Sequence, residues 1–123
     1  MKSIAKEGDG LAVAYERKGK EQSVTADKVL MAVGRRANVG TLNLADIGVE
    51  FSPRGIAVDG NMQTNVPHVY AVGDVNGLMM LAHAATFQGI RALDAIMGVD
   101  DNLRLNVIPA AVFTMPEVGM VGL

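Results

Sequence analysis

Asp74 is the residue around which this chain could do chemistry. It follows directly on Gly73, at the end of the apolar run 69–72 in "NVPHVYAVGDV". An ionised carboxylate only accepts hydrogen bonds, and its natural small-molecule partners are sugar or polyol hydroxyls. Gly73 allows a sharp backbone turn and the close approach of a ligand. A helix beginning near Met79 or Met80 would offer free backbone N–H groups and the positive end of its dipole. Carboxylate and helix start together form a polyol clamp beside a terminus suited to an anion or a carbonyl. The same Asp has a second use, as the cap of a turn before that helix, and the residues alone leave the two open.

Other polar residues point to packing or solvation more than to chemistry. His83 sits at the helix start and reads as a residue packed beside the site. His68 lies in the loop before the apolar run and reads as solvated. Arg35 and Arg36 form a solvated turn or a salt bridge, and could also meet a phosphate. Met79 and Met80 are packing residues before they are redox groups.

Alternating and apolar patterns predict the elements that must position these groups. "SIAKE" and "LAVAYER" alternate apolar with polar residues, as half-buried strands do. "EGDG" makes the turn between them, and "ERKGKEQ" around Gly19 makes a second, solvated hairpin turn. Residues 29–33 run unbroken apolar to Gly34, which predicts a strand covered on both faces. Residues 35–51 predict a connection with one helical turn. "IAV" predicts a short strand and "HVYAVG" a longer buried one, with Pro67 placed before it where its missing N–H does no harm. "NGLMMLAHAATFQGIRALDAIMG" predicts the main helix, with Thr86, Ile90, Leu93 and Met97 on one stripe and Gly98 as C-terminal cap. The opposite side carries Ala82, Ala85, Gly89 and Ala92, which either permit close backbone approach or serve as mere filler. Residues 107–123 open another strand-rich stretch. The fold class is α/β with α+β character: a β-meander and one main helix.

The 123 residues are half hydrophobic, enough for one modest domain with a core. A formal charge of -2 gives no basic field for nucleic acid. No apolar run approaches the roughly 18–20 residues of a membrane helix, and "MKSIAKEGDG" is no signal peptide. There is no cysteine, hence neither disulfide nor thiolate metal site. The expected location is the cytoplasm. The apolar segment at the end and the strands at the start predict an excerpt of something larger, truncated at both ends.

Four motifs, in order along nearly the whole chain, carry a resemblance. "TNVPHVYAVGDV", with Thr64 and Gly73-Asp74, resembles the second flavin-binding signature of the FAD-dependent pyridine nucleotide–disulfide oxidoreductases. "VLMAVGRRAN" resembles the strand by which that family returns from its NAD domain to its FAD domain, with Ala37 where the family usually has Pro. "LMMLAHAA" resembles the branch that oxidises protein-bound dihydrolipoamide with NAD. "IPAAVFTMPEVGMVGL" resembles the opening of the family's dimerisation domain. The resemblance implies that residues 1–36 end an NAD-binding domain, 37–104 form the second half of an FAD-binding domain, and 105–123 begin a dimerisation domain. It implies that Asp74 holds a ribityl hydroxyl of FAD. Gly73 makes the turn, and Met80, Leu81, Ala82 and His83 line the flavin, largely through backbone. Gly34 would lie where NAD approaches. The parent would be a homodimer serving lipoyl-bearing proteins of 2-oxoacid dehydrogenase or glycine cleavage complexes.

The family's other working parts have no counterpart here. There is no redox cysteine pair and no G-x-G-x-x-G phosphate cradle. The family's catalytic His-Glu pair matches no residue here, and His83 does not correspond to it. No residue of this chain is therefore expected to be catalytic, and the chain alone is expected to bind FAD weakly or not at all. A glutathione- or mercuric-reductase-like branch is the alternative within the family, and "LAHAA" argues against it. A self-associating binding module without chemistry is the alternative outside enzymes.

Overall fold

The computed structural model describes residues 1–100 and 102–122. Asp101 and Leu123, which fall in the second and third expected segments, lie outside the described residues. The chain divides into two compact units, Met1–Gly34 and Arg35–Leu123.

The first unit is an antiparallel meander of β1 (Ser3–Glu7), β2 (Gly10–Arg17) and β3 (Lys20–Ala26), in that order in the sheet. Two-residue turns fix its register. Gly8 takes φ 59° between β1 and β2, and Lys18 and Gly19 take φ 53° and 74° between β2 and β3. Positive φ at such turns matches the twist of the flanking strands. Ser3 therefore faces Ala14, and Val13 faces both Ile4 and Val24. Only the central strand is half-buried over most of its length.

Residues 29–33, expected to form a strand covered on both faces, belong to no strand. Leu30 is 88% and Val33 81% exposed. A parallel strand gets its partners from segments distant in sequence, and no described segment pairs with this one. The apolar run recorded a need for cover and not its source.

In the second unit the expected helical turn is the 3-10 turn Leu44–Ile47, closed by Gly48 in the left-handed conformation. A short hairpin follows, β4 (Phe51–Ser52) with β5 (Gly55–Ile56). The core gathers Leu44, Val49, Ile56 and Ala71, with Val39, Val58, Val66, Val69 and Val75 packed on it. Residues 59–71 are ordered by polar side chains. Asp59 Oδ1 accepts the N–H groups of Asn61 and Gln63, and Thr64 Oγ1 accepts that of Val66. The expected long buried strand over 68–73 is reduced to one antiparallel bridge, Gln63 with Tyr70, although Ala71 is buried.

The helix α1 spans Ala82–Met97 and ends on Gly98 at φ 68°, as expected. The face that packs is the small one. Ile90, Leu93 and Met97 face outward, exposed, as does Thr86. The inner side is made of Ala84, Gln88 and Ala92, with Ala85 and Gly89 half-buried. Small residues let the helix lie directly on the turn that precedes it. Beyond it come a 3-10 turn, Leu105–Val107, and the hairpin β6 (Ala110–Val112) with β7 (Val118–Met120).

Candidate functional site

Asp74 lies in a 3-10 turn, Gly73–Asn76, entered from Val72 in extended conformation and left through Gly77 at φ 70°. The turn can form because both ends are glycine. Gly73 takes φ 76°, where a side chain is strained. The turn buries Gly73 and Asn76 and leaves the Asp74 side chain half exposed. The carboxylate is thus held on the surface by a turn whose other residues are anchored. Its one ionic neighbour among the described residues is Arg35, with Nη1 4.0 Å from Oδ2. Both groups are well exposed, so this contact is worth at most about 1 kcal/mol.

Helix α1 begins beside this turn. The contact is set at Gly73, where an added Cβ would stand 3.1 Å from Ala85 Cβ. Leu81 precedes the helix in extended conformation, and no side chain caps it. The leading N–H groups, at Ala82 and His83, have no intrahelical acceptor. Met80 and Leu81 are half-buried, and Ala82 and His83 are exposed. The turn and α1 pack on each other through Gly73, which meets Ala85 and Gln88, so Asp74 and residues 80–83 lie on two adjoining elements. Gly34 closes the first unit, exposed, at φ 97°.

His83 has a partner that sequence reasoning missed. Its Nε2 lies 2.6 Å from the carbonyl oxygen of Pro109. A carbonyl only accepts, so Nε2 carries the proton. The ring ties the start of α1 to the segment entering β6. His68 is exposed at φ 65°. Gln88 and Asn76, both buried, went unnoticed at the sequence level. Gln88 Oε1 accepts the Gly73 N–H at 2.7 Å and Asn76 Nδ2 at 2.8 Å. A buried amide in a helix carries no signal in hydrophobic periodicity. Its one sequence cue is a polar residue amid small ones on the face of close approach.

Among the described residues no group of three or more His, Asp and Glu could hold a metal ion. No helix among them is long and apolar enough to cross a membrane.

The profile of the family described as pyridine nucleotide-disulphide oxidoreductase matches residues 1–89, well over half of the chain. The chain belongs to the pyridine nucleotide-disulphide oxidoreductases. Within this family it is similar to a dihydrolipoyl dehydrogenase of Bacillus subtilis, 43% identical over 122 residues, covering 98% of this chain and 26% of the relative. A dihydrolipoyl dehydrogenase of Haloferax volcanii is 43% identical over 120 residues, covering 95% of this chain and 25% of that protein. The crystal structure of LpdA from Mycobacterium tuberculosis superposes with a TM-score of 0.80 at 30% identity, over 99% of this chain and 26% of that one. The mixed α and β architecture is thus that of a flavoprotein disulfide reductase segment. The chain spans about a quarter of the length of the curated relatives it matches.

Proposed function

We propose that the chain is a piece of a dihydrolipoyl dehydrogenase, the flavoprotein that oxidises protein-bound dihydrolipoamide with NAD. Its own contribution is the edge that receives the ribityl chain and flavin of FAD. The observation that carries this is Asp74, an exposed acceptor on a turn anchored from below and set beside an uncapped helix start.

The residues fit that part of the cofactor. Asp74 would accept from a ribityl hydroxyl. Gly73 would keep the turn tight, and the backbone from Met80 through Leu81 and Ala82 to His83 would line the flavin. When bound, FAD supplies a two-electron acceptor. The Gly-rich cradle for the adenine dinucleotide phosphates has no counterpart in this chain, since no G-x-G-x-x-G is present. Gly34 would lie near NAD. In this assignment residues 1–36 end the NAD domain, 37–104 belong to the FAD domain and 105–123 open the dimerisation domain. The parent would be a cytoplasmic homodimer, working with the lipoyl proteins of 2-oxoacid dehydrogenase or glycine cleavage complexes.

The chain alone is inactive in this reading. Without cysteine no dithiol can pass electrons to a flavin. A cradle built from several segments loses most of its contacts when one stands alone, while immobilising the ligand still costs several kcal/mol. Purified chain is expected to be colourless and to turn over no dihydrolipoamide with NAD. A flavin spectrum co-purifying in stoichiometric amount overturns the inactivity. The flanking coding DNA is expected to carry a cysteine pair upstream and a His-Glu pair downstream, and the sequence around them separates the branches.

A further inference from the structure

The turn that carries Asp74 is controlled from beneath by one amide oxygen. Gln88 is 3% exposed and Asn76 6%. Asn76 Nδ2 donates to Ala71 O at 3.0 Å, and Asn76 Oδ1 accepts from Leu78 N at 3.0 Å. Those backbone partners have fixed roles, so they fix which end of the Asn76 amide is oxygen. The Gly73 N–H fixes Gln88 in the same way, because a donor must meet Oε1. Gln88 Oε1 then takes two donors at once, one from the first residue of the turn and one from its last. Both ends of Gly73–Asn76 hang on a single atom of α1, with Asp74 between them.

We propose that Gln88, acting with Asn76, is the positioning residue of Asp74. Its carbonyl oxygen sets the direction in which the carboxylate is presented, without touching a ligand. This rests on the assignment of Asp74 as the cofactor acceptor and names the residue that aims it. The role requires an acceptor at position 88. A buried N–H at Gly73 has no water to turn to, and leaving it unpaired is costly. A thioether of similar length at 88 preserves packing and leaves only a weak acceptor in place of the amide oxygen. A carboxylate keeps it, since two donors already converge on the point it would occupy.

The test uses the whole chain and NMR. In Gln88→Met the amide of Gly73 is expected to exchange about tenfold faster or more, while α1 amides keep their protection. The three-bond coupling that reports φ of Asp74 should shift toward its unfolded average. Gln88→Glu restores both, which a requirement for mere filling at 88 would not produce. Asn76→Ala frees the other end of the turn and should move the same coupling, so the outcome does not depend on one variant folding. A Gly73 amide as protected in Gln88→Met as in wild type overturns the proposal, as does α1 melting together with the turn in both Gln88→Met and Asn76→Ala. Flavin mononucleotide raised to millimolar concentration, where weak binding is populated, is titrated into wild-type chain, and shifts confined to Asp74 and its neighbours support the cofactor assignment separately. The exchange rates decide the clamp whatever that titration gives.

Discussion

Gly73 and Ala85 meet with no room between them, since a Cβ built on the glycine stands 3.1 Å from the Cβ of the alanine. Two penalties follow for Gly73→Ala. The backbone at φ 76° costs a side chain about 1–2 kcal/mol, and the added methyl presses on the helix. Removing the neighbour separates them. The coupling between Gly73→Ala and Ala85→Gly isolates the steric part, and urea unfolding of the four proteins of that cycle measures the split.

Gly77 is the less forgiving position. A Cβ there would fall 1.8 Å from Arg54 O, and one on Gly55 would fall 2.4 Å from the Asn76 carbonyl carbon. Both obstacles are backbone and have no rotamer to change. Gly77→Ala should therefore separate the β4–β5 hairpin from the Asp74 turn and abolish cooperative melting of the second unit. Gly60→Ala, where nothing lies within 4 Å, should change stability by no more than about 0.5 kcal/mol. Thermal melts followed by circular dichroism compare them.

His83→Ala removes the link to Pro109. One exposed hydrogen bond contributes about 0.5–1.5 kcal/mol, so the fold should persist. The effect should be local, with the amides of residues 105–108 and 110 exchanging faster and the Gly73–Asn76 turn unchanged. Hydrogen exchange read residue by residue tests the separation.

The outward stripe of α1 predicts association. Ile90, Leu93, Ile96 and Met97 are all exposed, and an apolar face of that kind is removed from water when copies meet. Sedimentation velocity should show a mass that rises with concentration. Leu93→Glu should hold the chain nearer to monomer and leave the helix content intact.

What the sequence disclosed was what local chemistry determines. Gly8 and Gly19 marked the hairpin turns because positive φ is a single-residue property. Gly98 marked the end of α1 for the same reason. The Gly-Asp after an apolar run marked a turn with an accessible carboxylate. What stayed hidden depended on partners far along the chain. Residues 29–33 and 68–73 had the composition of buried strands, but a strand exists only with a neighbour to bond. On α1 the small residues left close approach and mere filling both open, and the structure takes the first: the need was for thinness, so that helix and turn could share one amide oxygen. Gln88 and Asn76 had no periodicity to betray them.

That thinness has a consequence for how the helix can vary. Along most amphipathic helices the bulky aliphatic positions are the sensitive ones and the alanines are permissive. Along α1 a saturation-mutagenesis map should come out inverted, with Leu93 and Met97 accepting almost any residue while Ala84, the most deeply enclosed of all at 0% exposure, rejects even serine's larger neighbours such as threonine and valine.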